Sequence, residues 1–231
     1  MQIETYRHEY KYPIKRGQMA LEEAKLSAVA QKDKNIGERG YYNIRSLYFD
    51  DYYDSCYLDN VNGTDNREKY RIRIYNHSAE KIKLEMKKKI RGKTQKLSCT
   101  ITEEQCRLLM EGMIPDDIQP NQKVLHKLAY LMAVGLMHPV IIVDYDRIPY
   151  VYRMEDANVR VTFDMNLTSS ENIADFLEER IDGRGIFGMN ELLMEVKYDE
   201  FLPDEIRSLL HLEGLSASTF SKYYLCRKFK G

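Results

Sequence analysis

What this 231-residue chain lacks most plainly is charge of one sign: 35 Lys and Arg stand against 36 Asp and Glu, a net charge of −1. That balance excludes a simple basic nucleic-acid coat and an acidic tail protein. Any strong field has to come from segregating charges in space. Cysteine is sparse and scattered, at Cys56, Cys99, Cys106 and Cys226. With no CxxC and no Cys/His ligand spacing, a structural zinc site is not expected, and a reducing compartment is the simplest reading. The opening MQIETYRHEYKY has no apolar core of the signal-peptide kind. Long apolar runs are also missing. The most apolar window, Val124 to Val143, contains His126, Lys127, His138 and Pro139, which rejects it as a membrane span. A soluble, cytoplasmic protein with no direct membrane insertion is expected. No low-complexity linker or internal repeat divides the chain, so it reads as one domain over residues 1–231.

What is present is a folding composition, 43% hydrophobic and 31% charged. Pro13 to about Lys34 reads as a helix, with Leu21, Ala24, Ala28 and Val29 on one face, ended by Gly37 and Gly40. Thr102-Glu103-Glu104-Gln105 is a capping box and starts a helix running to Glu111. A third helix covers roughly Gln122 to Val134, and short ones are expected at Ile173–Leu177 and Asp204–Leu212. The remainder reads as eight strands: Tyr6–Tyr12, Tyr41–Phe49, Glu68–Tyr75, Lys81–Lys89, Lys96–Ile101, Val140–Tyr145, Val159–Asp164 and Leu192–Tyr198. A turn at Gly92 joins the fourth strand to the fifth. The pattern predicts an α+β protein, an eight-stranded antiparallel sheet or barrel with helices outside.

The alternation within the strands carries the chemistry. Lys69, Arg71 and Arg73 oppose Tyr70, Ile72 and Ile74; Lys83, Glu85, Lys87 and Lys89 oppose Ile82, Leu84 and Met86. Glu195 and Lys197 oppose Met194, Val196 and Tyr198; Arg160, Thr162 and Asp164 oppose Val159, Val161 and Phe163. At the start, Arg7, Glu9 and Lys11 oppose His8, Tyr10 and Tyr12, which puts His8 among packed residues. An ordinary antiparallel sheet with one wet face shows such alternation. Here, however, the polar positions hold Arg, Lys and Glu on nearly every strand, and helices are available to cover the apolar face. If the sheet closes, its interior is a charged channel, and eight strands suffice to hold one small ligand. Clustered cations repel in low dielectric and call for an anion. Arg and Lys together suit phosphate, and a few carboxylates among them suit a divalent metal bridging carboxylate and phosphate.

These residues resemble the VTC-type polyphosphate polymerase domain of the triphosphate tunnel metalloenzyme (CYTH-like) superfamily. The carrying motifs are Arg7-His8-Glu9-Tyr10-Lys11-Tyr12, Ser46-Leu47-Tyr48-Phe49-Asp50, Lys69-Tyr70-Arg71-Ile72-Arg73-Ile74-Tyr75 and Leu84-Glu85-Met86-Lys87. Lys93, Lys96 and Tyr145-Asp146-Arg147 follow, then Val159-Arg160-Val161-Thr162-Phe163-Asp164, Met194-Glu195-Val196-Lys197 and Phe220-Ser221-Lys222-Tyr223. The resemblance implies an eight-stranded tunnel that transfers the ATP γ-phosphoryl group to a growing inorganic polyphosphate chain with Mn²⁺ or Mg²⁺. It implies phosphate contacts at Lys11, Arg71, Arg73, Lys87, Lys96, Arg147, Arg160, Lys197 and Lys222, and a metal ligand at Glu195, with Glu9 or Glu85 assisting. Lys93 beside Gly92 has an ambiguous facing, and Ser221 is open as a phosphate contact or a local cap. Arg7 departs from the superfamily's Glu-x-Glu-x-Lys strand, which favours the polymerase branch over branches that lean on more carboxylates. Eukaryotic polymerases of this family carry a phosphate-sensing domain and membrane helices. Neither is in this sequence, so regulation and translocation are not expected to carry over, and a membrane-protein partner stays open.

Three functions remain in competition: polymerase, hydrolase of the same fold with water as acceptor, and non-catalytic polyanion binder. A carboxylate at Glu195 gains a pure anion binder nothing. For Glu85 and Glu195 the alternative to metal binding is an ion pair with neighbouring Lys or Arg. Nucleic acid is not an expected partner, since no aromatic platform is interleaved with the basic positions. Tyr48–Asp51 reads as strand end and turn without chemistry.

Overall fold

The computed structural model describes residues 8–90, 93–154, 157–218 and 221–228. Tyr6, Arg7, Gly92 and Phe220 lie outside the described residues. In chain order the described elements are β1 (His8–Lys15), α1 (Arg16–Val29), β2 (Gln31–Lys32), β3 (Tyr42–Asp50), α2 (Ser55–Val61), β4 (Arg67–Tyr75), β5 (Ser78–Ile90) and β6 (Lys93–Ile101). Then come α3 (Glu103–Met110), α4 (Lys123–Gly135), β7 (His138–Met154), β8 (Ala157–Ser170), a 3-10 turn (Ile173–Leu177), β9 (Arg184–Gly185) and β10 (Glu191–Tyr198). The chain ends with α5 (Asp204–Leu209), a 3-10 turn (Leu212–Gly214) and α6 (Lys222–Lys228). The described strand pairs are antiparallel, and the class is α+β as predicted. No described helix is long and apolar enough to cross a membrane.

The chain divides into two compact units. The first comprises residues 1–42, 145–167 and 187–220. In it β1 pairs with β10 and β10 with β8, so β1 is an end strand. Tyr12, Ile14, Val159, Val161, Phe163, Met194 and Val196 turn to one side, where Leu26 of α1 and Ile206 of α5 complete an apolar core. The helix predicted from Pro13 starts at Arg16 instead, where the Gln18 side chain accepts from the Lys15 N–H at 2.9 Å. Pro13 lies within β1, and an end strand is where a ring without an N–H is tolerated. The helix face also differs from the prediction. Leu21 and Val29 are exposed, while Glu22 and Leu26, one turn apart, are inward, with Glu22 accepting from Lys25 at 3.1 Å. His8 is exposed rather than packed in a core, with its ring stacked on Tyr198 at 5.0 Å.

The second unit comprises residues 43–144, 168–186 and 221–231. Its strands run β3-β4-β5-β6, with β6 as an end strand. The described ladders thus terminate at β1 and β6, an open path rather than a closed ring of pairs. Asn76 and His77, with φ of 50° and 57°, make the two-residue turn between β4 and β5, a conformation that matches strand twist. Leu47, Tyr70, Ile72, Ile74, Leu84 and Met86 form the apolar face, covered by Cys106 and Leu109 of α3 and Leu125 and Leu128 of α4. Thr102 caps α3 as the capping box predicts, accepting from the Gln105 N–H at 3.0 Å. Helices α2 and α6 were not anticipated. Asp50, wholly buried, holds both: its carboxylate accepts from the N–H groups of Cys56 at 2.8 Å and Tyr57 at 3.1 Å and from the Tyr223 hydroxyl.

Candidate phosphate and metal site

In the second unit, strand register assembles a cationic cluster around one carboxylate. Arg71 on β4 faces Tyr48 on β3 and Glu85 on β5, and Arg73 faces Ser46. Arg71 donates from Nε to Glu85 Oε2 at 2.8 Å, with Nη2 at 2.7 Å from the same oxygen; Arg73 Nη1 stands 3.9 Å away. Lys96 Nζ is 2.5 Å from Oε1. Three cations therefore meet one carboxylate. Burial works against ionising Glu85, but Arg71, Arg73 and Lys96 outweigh it and hold the carboxyl well below the usual range. Tyr48 and Ser46 orient the arginines: Arg71 Nη1 donates to the Tyr48 hydroxyl at 3.0 Å and Arg73 Nε to Ser46 Oγ at 3.1 Å. Both are buried; the motif Ser46-Leu47-Tyr48-Phe49-Asp50 contains them, but the sequence reading gives Ser46 no role and Tyr48 no chemistry, and the structure corrects this by setting each against an arginine. Their signal was available, since Ser46, Tyr48 and Asp50 alternate on β3. Lys87 is exposed, in register with Lys69 and Lys96. Lys93 opens β6 opposite Ile90, and its side chain lies outside the described residues.

At the end of the same unit, Ser221 precedes α6 and its Oγ accepts from the Tyr224 N–H at 3.3 Å. This is the local-cap reading of that residue. Lys222 is the first residue of α6, and the next, Tyr223, lies 5.0 Å from Tyr48 between ring centroids and 5.1 Å beneath Lys69 Nζ.

The first unit gathers a second, charge-balanced group. Arg147 on β7 binds Asp164 through two bonds, Nε to Oδ1 at 2.6 Å and Nη2 to Oδ2 at 2.7 Å, and donates from Nη2 to Glu195 at 3.1 Å. Burial alone would lower the Arg147 pKa, but Asp164, Tyr145 and Glu195 outweigh it and raise the group well above its ordinary value. Lys197 Nζ lies 2.9 Å from Glu195 and 3.2 Å from Glu9, and Lys11 lies 3.7 Å from Glu9. Arg160 pairs with Asp33 at 3.0 Å and donates to the Tyr42 hydroxyl at 2.9 Å. The sequence reading puts Asp164 on a charged face and in the motif Val159–Asp164 but gives it no role. Alternation gives the face of a residue but not its partner, which lies 17 residues away.

Metal fit follows from the donor set. Among the described residues no three His, Cys, Asp or Glu side chains gather as a cage. Glu195 and Glu9 instead share Lys197, and the buried Thr162 hydroxyl, in register with Glu195, has no hydrogen-bond partner among the described residues. One or two carboxylates and a neutral oxygen suit Mg²⁺ or Mn²⁺ that arrives with phosphate oxygens filling its other positions.

A family model described as VTC domain matches residues 6–229. No curated protein matches the chain in sequence. Solved structures share its fold, among them the following two. PH1819 protein from Pyrococcus horikoshii OT3 is 14% identical with a TM-score of 0.50, covering 97% of this chain and 100% of that one. A Hippeastrum protein named as adenylyl cyclase HpAC1, and described as revealing a dominant triphosphatase activity, is 15% identical with a TM-score of 0.52, covering 98% and 96%.

Proposed function

This chain belongs to the VTC domain family, and from that premise we propose that it is a polyphosphate polymerase, transferring the ATP γ-phosphoryl group to an inorganic polyphosphate chain. The observation that carries the proposal is the convergence of Arg71, Arg73 and Lys96 on the single buried carboxylate of Glu85. That arrangement leaves cationic charge in surplus over the carboxylate. A phosphoryl oxygen array is the ligand that such a fork of donors and point charges fits.

Phosphoryl transfer asks mainly for positioning and charge neutralisation. A terminal oxygen of the acceptor chain attacks the γ-phosphorus, the bond to the bridging oxygen breaks, and ADP leaves. Arg71 and Arg73, held by Tyr48, Ser46 and Glu85, neutralise the oxygens of the transferred group without reorganising. Lys11, Lys87, Lys96, Arg147, Arg160, Lys197 and Lys222 serve as the remaining phosphate contacts. Glu195, with Glu9 beside it, would hold the divalent cation, which supplies charge neutralisation between neighbouring phosphates when bound. The proposal includes a single catalytic domain, closure of the eight long strands into a tunnel, and a cytoplasmic location.

Hydrolysis is the second reading, and the triphosphatase description of the Hippeastrum neighbour favours it. Products decide between them. Purified protein incubated with ATP and Mn²⁺ is expected to yield a ladder on a polyphosphate-stained gel. Free phosphate without a ladder selects the hydrolase, and no turnover selects a binder. Glu195→Gln is expected to lower turnover by orders of magnitude while metal-free tripolyphosphate binding survives. Unchanged turnover in the folded variant would leave Glu195 as only the partner of Arg147 and Lys197.

A further inference from the structure

Thr162 occupies the middle of β8, in register with Glu195 on β10, and is fully buried. Its neighbours Val161 and Phe163 turn into the apolar core of the first unit, so Thr162 lies on the opposite face with Arg160, Asp164 and Glu195. There its Oγ1 has no hydrogen-bond partner among the described residues. Two residues away, Arg160 Nε is likewise buried and without a partner among the described residues. Buried polar atoms are nearly always satisfied, and leaving one orphaned costs stability that a Val of the same shape would not. A hydroxyl retained in that state is explained when a ligand satisfies it.

The chemistry of the face narrows the ligand. Charged donors are already supplied by Arg147 and Lys197, both turned to Glu195. Thr162 adds a neutral oxygen next to a carboxylate; register-opposed Cβ atoms in a sheet lie about 4.5–5.5 Å apart, within reach of one ion. Hard divalent cations take mixed carboxylate and neutral oxygen ligands. We infer that Thr162 Oγ1 and Glu195 together seat the divalent cation that enters with a triphosphate group, making Thr162 a ligand for the cation. The inference rests on the phosphate-site reading above and adds a residue to it.

The experiment compares tripolyphosphate binding by calorimetry with Mn²⁺ and with EDTA, for the wild type, Thr162→Val and Thr162→Ser. Wild type is expected to bind more tightly with Mn²⁺. Thr162→Val should lose about tenfold or more of that Mn²⁺ enhancement, while its metal-free affinity stays within about twofold. Its melting temperature without ligand should be unchanged or higher, and Thr162→Ser should retain the enhancement. An undiminished enhancement in Thr162→Val overturns the inference. So does a clear fall in its ligand-free melting temperature, which would reveal an internal partner for the hydroxyl. Wild-type binding of equal strength with Mn²⁺ and with EDTA overturns the cation seat and leaves the phosphate reading standing. If wild type binds tripolyphosphate in neither condition, the functional reading fails. Titration with Mn²⁺ alone then decides the seat: loss in Thr162→Val supports it, and equal or absent binding in both proteins overturns it.

Discussion

Arg147 and Asp164 are both buried and joined by two short bonds, so neither can lose the other cheaply. Asp164→Asn is expected to destabilise the protein by about 3–5 kcal/mol in urea unfolding, because it leaves a guanidinium buried with half its compensation. Glu85 behaves differently, since it is the minority charge. Its folded pKa lies below the ordinary value of 4.5, so its stabilising contribution is complete above that pH and is lost as pH falls through the depressed value. Wild type should therefore show a decline in stability below about pH 4.5 that is flatter in Glu85→Gln. At pH 7, Glu85→Gln should melt lower and gain more from added tripolyphosphate, because three cations lose their common partner. Melting curves across pH, with and without the anion, check both. The period-2 pattern made Arg71, Arg73, Glu85, Glu195 and Lys197 legible as members of charged faces. It could not say that Glu85 takes three cations, or that Asp164 rather than Glu195 accepts both bonds of the Arg147 fork. Those pairings depend on long-range register, which no local window contains.

Among elements, β1, β4, β5, β8 and β10 were legible because polar and apolar residues alternate along them, β7 through its continuous apolar run Val140–Val143, and α3 because Thr102 and Gln105 announce its start. Failures have local causes. Pro13 reads as a helix start, yet position at the edge of the sheet, a tertiary fact, makes it tolerable in β1. Short helices α2 and α6 have little propensity of their own and exist through packing. Asp50 is the organiser, capping the start of one and accepting the Tyr223 hydroxyl of the other. Tyr223→Phe is expected to cost about 1–3 kcal/mol, because a buried carboxylate loses a donor. Limited proteolysis should then cut first near α6, with the strands surviving.

For the molecule as a whole, net charge is silent and arrangement decides. A sequence with a charge of −1 carries a patch in which Arg71, Arg73 and Lys96 outnumber Glu85. Polyanions are expected to raise the melting temperature in order of length, tripolyphosphate above pyrophosphate above orthophosphate at equal concentration. A ligand at about 100 times its Kd contributes roughly 2.7 kcal/mol. Added salt should shrink these shifts by screening. Equal shifts for all three anions, or none, would refute an extended polyphosphate site.

The four free cysteines all belong to the second unit. Burial pushes their thiols up, to about 12 for Cys106 and Cys226, and Asp50 adds to burial at Cys56. At neutral pH the buried Cys56, Cys106 and Cys226 are masked nucleophiles, since the thiolate is the reactive form, whereas Cys99 is partly exposed. Modification at Cys56, Cys106 and Cys226 is consequently expected to report how often the second unit opens, and it is blind to the first. The chain thus carries its own clock for local breathing, and an anion that ties Arg71 and Arg73 to one ligand is expected to slow it.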